Sequence, residues 1–319
     1  MLRNVVNIVR SIEDYVNRVF IGNPQIVHTI VAALLAGGHV LLLGPVGSGK
    51  TTLTKALAKA IGGSFGRVQV TNETLPSDIV GFAVYTPSGD VRINKGPIFN
   101  NVVLLDEINR APARTLSALL EVMQEGQATI EGKPLPLPKP HFIVATMNVT
   151  EMAIGVTQPL PLAILDRFMA SIYVDYVRPE YEKLIMRNID YIEREVDHGS
   201  PASGSVLSDV ENEVMGVYVD DAILDYIFNI VNRIRRDNRL EIALSTRALI
   251  SVFKLARAMA LMEGRNYVIP DDVKAAVHPA LMHRIMIKPE FKDSANAVTV
   301  INDALTSVEP FTYFTVTSS

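Results

Sequence analysis

The stretch HVLLLGPVGSGKTTLTKALAKAI, beginning at His39, restricts the fold of this chain more than any other. An apolar run of strand length passes through a glycine-rich turn into residues with helical spacing, and Gly44 to Thr51 match G-x-x-x-x-G-K-[ST]. Glycines in such a turn let successive backbone N–H groups point inward, and the following helix adds partial positive charge at its N-terminus. Gly44, Pro45, Val46, Gly47, Ser48 and Gly49 therefore read as a cradle for phosphate oxygens. Lys50 is expected to reach the terminal phosphates and the Thr51 hydroxyl to bind Mg²⁺, with Thr52 completing the nucleotide-binding set.

That loop gives meaning to a second stretch, FNNVVLLDEINRAPARTL, from Phe99. Val102 to Leu105 form a short, wholly apolar run, the pattern of a strand buried on both faces. By itself the Asp106-Glu107 pair after it could be no more than the strand's exit into solvent. A phosphate-binding loop needs a carboxylate at the end of a neighbouring strand to hold the metal, and Asp106 fits that role. Hydrolysis also needs a group that orients the attacking water, and Glu107 lies one residue beyond. A third polar residue, Asn148, ends the apolar run HFIVATMN, where it could bond the γ-phosphate or the water, or simply form a turn. No N/T-K-x-D guanine-reading motif is present, since Asn94-Lys95 continues into Gly-Pro, so ATP/ADP is the expected nucleotide.

Around these motifs, apolar runs at 39–43, 67–70, 101–106, 141–146 and 171–176 alternate with helical patterns, which predicts an α/β fold with a parallel, doubly wound sheet. Leu116, Leu119, Leu120 and Met123 repeat at helical spacing after Pro112, read as a first-turn proline. FAVYTPSGDVRIN and QATIEGKPLPL read as hairpins, the second turning at Glu131-Gly132. From Arg178 the pattern is helical throughout, with Ser245 as an N-cap, Gly264 as a stop and Pro270 as a start. The expected division is a nucleotide-binding α/β core over 1–177 and a helical lid over 178–319. GSPASGS at 199–205 reads as a flexible loop, and the tail FTYFTVTSS as a paired edge strand.

Bulk properties exclude some chemistry. The chain has 319 residues, is 48% hydrophobic and contains no cysteine, so disulfides, thiolate zinc sites and cysteine nucleophiles are ruled out. A net charge of −4 gives no bulk attraction to nucleic acid or anionic membrane. Charges interrupt the apolar residues of the amino end, and IVAALLAGGHVLLLG is broken by Gly37, Gly38 and His39, so no signal peptide or membrane span is expected and the protein reads as cytoplasmic. The scattered histidines do not form a zinc site, and Arg233, Arg235, Arg236 and Arg239 read as a solvated helix face.

Taken with IGNPQIV, LPSDIVG, KGPIF, DEINRAP, ATMN, LDRF and STRALISVFKLARAMALMEGRNYVIPDDVKAAVHPALMHRI, the sequence resembles the MoxR family of AAA+ ATPases nearly to Pro310. The resemblance implies an AAA+ core (a three-layer P-loop sheet) with a helical lid, assembled as a homo-oligomeric, usually hexameric, ring. It implies chaperone-like ATP hydrolysis that matures or activates protein complexes, often with a von Willebrand factor A domain partner and a protein client. By motif match Asn148 would be the first sensor, Arg167 the arginine finger and Arg247 the second sensor, with Ile21 and Gly22 near the adenine. Both hairpins would face the pore or a client. GVTQPLPLAILDRF departs from the family pattern by one extra residue, with Leu162 and Ile164 at usually polar positions. A nucleic-acid-directed AAA+ motor and a nucleotide-gated scaffold with little turnover remain as alternative readings.

Overall fold

The protein is described here by a computed structural model covering residues 2–87, 90–153, 157–198 and 207–310. Helices α1 (Leu2–Val19) and α2 (Pro24–Leu35) precede strand β1 (Val40–Leu43), followed by α3 (Lys50–Ala60), β2 (Phe65–Gln69) and α4 (Pro76–Val80). A hairpin of β3 (Gly81–Tyr85) and β4 (Val91–Lys95) leads to β5 (Val102–Asp106) and α5 (Ala113–Glu125). A second hairpin, β6 (Gln127–Ile130) and β7 (Lys133–Pro136), leads to β8 (Phe142–Met147), α6 (Val149–Ala153), α7 (Leu162–Leu165) and β9 (Ala170–Tyr173). Only helices follow: α8 (Pro179–His198), α9 (Leu207–Gly216), α10 (Asp221–Arg235), α11 (Thr246–Met262), α12 (Pro270–Leu281) and α13 (Ala297–Ser307).

The sheet has the order β2-β5-β8-β1-β9, and every pairing in it is parallel. Alternation along the strands explains the continuous apolar runs. Val102 and Leu104 join one core cluster with Val40 and Leu42. Val103, Leu105 and Leu41 join the cluster on the other face, with Leu116, Leu119 and Val122 of α5. All four apolar residues of β5 are fully buried, and each such side chain contributes about 1.5–3 kcal/mol relative to exposure. The carboxyl ends of the strands are thereby brought level. Gln69 pairs with Asp106, and Leu43 lies opposite Met147.

Both hairpins form as expected, and Glu131 and Gly132 take the positive φ values, 48° and 72°, of a tight two-residue turn. Ser88 and Gly89 of the first turn, the loop 199–205 and the tail from 311 lie outside the described residues. Pro112 is the N-cap of α5, one residue before the helix that the sequence reading placed it in. Ser245 accepts from the Ala248 N–H as predicted, and Gly264 ends α11's region at φ 78°. The amphipathic α1, not singled out in the sequence, has a structural role. Val9, Ile12 and Val16 share one core with Ile30 and Leu34 of α2 and with Val252, Leu255 and Met259 of α11. The helical region is therefore seated on the amino-terminal helices, and α12 packs on β9.

Candidate functional site

The phosphate-binding loop leaves the carboxyl end of β1, in the crevice where open parallel sheets bind ligands. Gly44 is demanded by close approach: a Cβ there would lie 2.1 Å from the Val174 carbonyl oxygen. Gly49 caps α3 at φ 85°, and its Cα faces the Phe20 ring. Lys50 donates to the Gly44 and Pro45 carbonyls at 3.1 and 2.6 Å and to the Ser48 hydroxyl at 3.2 Å. Burial lowers its pKa, and the charges of Asp106 and Glu107 oppose that shift.

Val46 to Thr52 line a cavity of about 460 Å³ together with Arg67, Gln69, Asp106, Glu107, Thr146 and Asn148. The structure thus brings together the predicted phosphate, metal and water residues and the first of the two predicted sensors. Thr146, level with Asp106 on the neighbouring strand, connects the carboxylates. Its hydroxyl donates to Asp106 Oδ1 at 2.6 Å and accepts the Glu107 N–H at 2.9 Å. Glu107 itself has φ 60° and ψ 47°, a left-handed conformation that costs a residue with a Cβ about 1–2 kcal/mol. Its Oε2 accepts from Gln69 Nε2 at 3.3 Å and pairs with Arg110 at 2.8 Å. Arg110 in turn pairs with Glu151 at 2.5 Å, so its cation is engaged inside the chain. Asn148 is buried, and its carbonyl oxygen accepts the Thr150 N–H at 3.1 Å, which leaves the amide nitrogen as the donor for a ligand.

The donor set suits a hard divalent cation: a hydroxyl at Thr51 and a carboxylate at Asp106, both lining the cavity, are oxygen ligands of the kind Mg²⁺ prefers. Asp106 Oδ2 also accepts from Arg67 at 2.8 Å, and each carboxylate oxygen keeps a second acceptor direction. Beside the loop, Gly22 lines a separate cavity of about 360 Å³ with Phe20, Tyr173, Tyr176 and Tyr181. Ile21 does not line that cavity but packs, half-buried, against the core.

Arg167 and Arg247 are elsewhere. They line a cleft of about 210 Å³ with Gly37, Gly38, His39, Gln124, Asp166 and Lys254. His39 precedes β1, and its carbonyl accepts the Met169 N–H at 2.8 Å just ahead of β9. The two arginines therefore sit at the amino end of the strand whose carboxyl end carries the loop. A four-residue strand is about 13 Å long. Arg167 donates to Gln124 at 2.7 Å, and burial followed by repulsion from Arg247 lowers its pKa. Arg247 is half-exposed, with Asp166 at 3.6 Å. Ile164, at a usually polar position, is buried in the core beneath this segment, which accounts for its apolar character.

Sequence reading missed Thr146, Arg67, Gln69 and Gln124. Thr146 was within reach, because it lies two residues before Asn148, near the end of the strand that leads to it. Arg67 and Gln69 are the polar alternates of an edge strand and carry no such signal.

Comparison with known proteins gives a consistent result. The profile of the ATPase family associated with various cellular activities (AAA) matches residues 39–170, and that of the AAA lid domain matches 232–304. YeaC of Bacillus subtilis (strain 168) is 38% identical, over 93% of this chain and 92% of its own. Chaperone MoxR1 of Mycobacterium tuberculosis is 35% identical, over 92% of this chain and 80% of its own. A crystal structure of a Cytophaga hutchinsonii protein, designated an ATPase, superposes with a TM-score of 0.88 at 32% identity, covering 98% of this chain and 97% of that one.

Proposed function

The chain belongs to the MoxR family of AAA+ ATPases, and from that premise we propose that it hydrolyses ATP as a closed, hexameric ring whose subunits share active sites. Hydrolysis would drive chaperone-like remodelling or activation of a protein client, in company with a von Willebrand factor A domain partner, in the cytoplasm. Residues 1–177 would act as the nucleotide-binding core and 178–319 as the lid. Among the described residues no helix is long and apolar enough to cross a membrane.

In this reading the loop amides and Lys50 bind the β- and γ-phosphates, while Phe20, Gly22 and the tyrosines beside them border the base. Thr51 and Asp106 would hold Mg²⁺, which when bound offsets charge on the phosphate oxygens. Glu107 accepts a proton from water as its oxygen attacks the γ-phosphorus, and the bond to the bridging oxygen of ADP breaks. The Asn148 amide orients that water or the γ-phosphate. Arg167 and Arg247 supply positive charge where it develops in the transition state, on the nucleotide of the adjacent subunit.

The observation that carries this reading is the separation of the two sets by the length of β1. A guanidinium rooted at the amino end of the sheet serves a nucleotide best when that nucleotide is a neighbour's. Arg167→Ala and Glu107→Gln are expected to be inactive singly and to regain part of the ATPase rate when mixed. In such rings some interfaces pair an intact carboxylate with an intact donor. Subunit exchange without any return of activity would refute shared sites. Loss of turnover in Glu107→Gln alone separates an enzyme from a nucleotide-gated scaffold.

A further inference from the structure

Behind Asp166, which pairs with Arg247, lies a third arginine that the proposed mechanism does not use. Arg284 ends the short turn after α12 and is only 6% exposed. Its Nε donates to Asp166 Oδ1 at 3.0 Å. Its Nη2 donates to the Asp166 and Phe168 carbonyls, both at 2.9 Å, and to the Ser251 hydroxyl at 3.1 Å. Its Nη1 donates to the Ala280 carbonyl in the last turn of α12. The two carbonyls it grips flank Arg167 on either side. The same carboxylate oxygen, Asp166 Oδ1, accepts from the Ser245 hydroxyl at 2.7 Å, and Ser245 is the cap that starts the helix bearing Arg247.

One buried guanidinium and one carboxylate thus fix the roots of both exposed arginines and join α11 and α12 to the turn ahead of β9. Stability alone is a weak reason for such a group, since apolar residues of similar volume commonly replace buried ion pairs at no net cost. What apolar packing cannot do is hold two carbonyls and a carboxylate at fixed directions. We infer that Arg284 is a positioning residue: it sets Arg167 and Arg247 as one rigid unit on the helical region, so that both reach the neighbour's phosphates together. The inference rests on the proposed action of Arg167 across the subunit interface. It follows that damage to Arg284 spoils a subunit as a donor while leaving its own nucleotide site intact.

The test is asymmetric complementation. Arg284→Lys keeps the charge but cannot span the five acceptors. It is expected to bind an ATP analogue within about two-fold of wild type while kcat falls on the order of 10²-fold, the loss that a misplaced group produces. Mixed with Glu107→Gln it should regain activity, because the partner supplies a well-placed Arg167. Mixed with Arg167→Ala it should not. A wild-type kcat, a loss confined to nucleotide affinity, or equal recovery with both partners would overturn the assignment. Should Arg284→Lys fail to fold, Ser251→Ala removes one acceptor and leaves the charges in place. The same pattern is then expected at several-fold smaller amplitude, and a wild-type kcat there is equally fatal. Failure of the Arg167→Ala and Glu107→Gln mixture would count against shared sites. Its success, with no recovery of Arg284→Lys by Glu107→Gln, would count against Arg284 alone.

Discussion

The two ends of the central sheet are built on different plans. At the carboxyl end the cavity is made by segments that arrive through strand pairing: the loop after β1, Asp106 at the end of β5 with Glu107 after it, and Asn148 after β8. The loop there offers backbone N–H groups and the N-terminus of α3, and each short segment carries its chemistry with it. At the amino end the cleft depends on side chains from positions far apart in the chain, Gln124, Asp166, Arg167, Arg247 and Arg284. Strand pairing brings the first set together, and packing of the helical region brings the second. A site of the first kind tolerates change in distant helices, whereas one of the second kind shifts whenever those helices move.

The sharpest way to break this contrast is to compare nucleotide binding with turnover. Lys50→Ala should remove measurable ATP binding, because it deletes the phosphate-facing cation from the carboxyl-end cavity. Arg167→Ala should bind a fluorescent ATP analogue nearly normally yet lose on the order of 10³-fold in rate. Impaired binding in Arg167→Ala, with the purified protein monomeric, would put both ends in one intrachain site and erase the distinction. A smaller effect is expected at Thr146→Val, within the strand-paired set. Its loss leaves the part-buried Glu107 N–H without its acceptor, at a cost of about 1 kcal/mol in denaturant unfolding. ATPase activity should fall with it while nucleotide affinity holds. If stability is unchanged, the hydroxyl is not what keeps the two carboxylates in place.

The difference also explains what could be read beforehand. Gly44 to Thr51, Asp106, Glu107 and Asn148 were legible because each lies within a few residues of a strand end, and the parallel sheet follows from the same alternation of apolar runs. Arg167 and Arg247 were found only through resemblance to a family. Local pattern says nothing of which end of the sheet they occupy, since that depends on how α11 and α12 settle on α2 and β9. Asp166 was visible merely as a neighbour of Arg167, and Arg284 not at all, because a lone arginine after a helix has no signature. Thr146 falls between these cases: its place was fixed by register, but its two bonds were not.

The left-handed backbone at Glu107 has an evolutionary corollary. Glycine adopts φ 60° freely, so Glu107→Gly should raise the unfolding free energy by about 1 kcal/mol, while on the proposed role of this carboxylate it should abolish hydrolysis. Selection for robustness and selection for turnover therefore pull this codon in opposite directions. If Glu107 carries the proposed hydrolysis, a relative that no longer needed turnover should lose this carboxylate early, and glycine or asparagine there would mark a paralogue that only binds nucleotide.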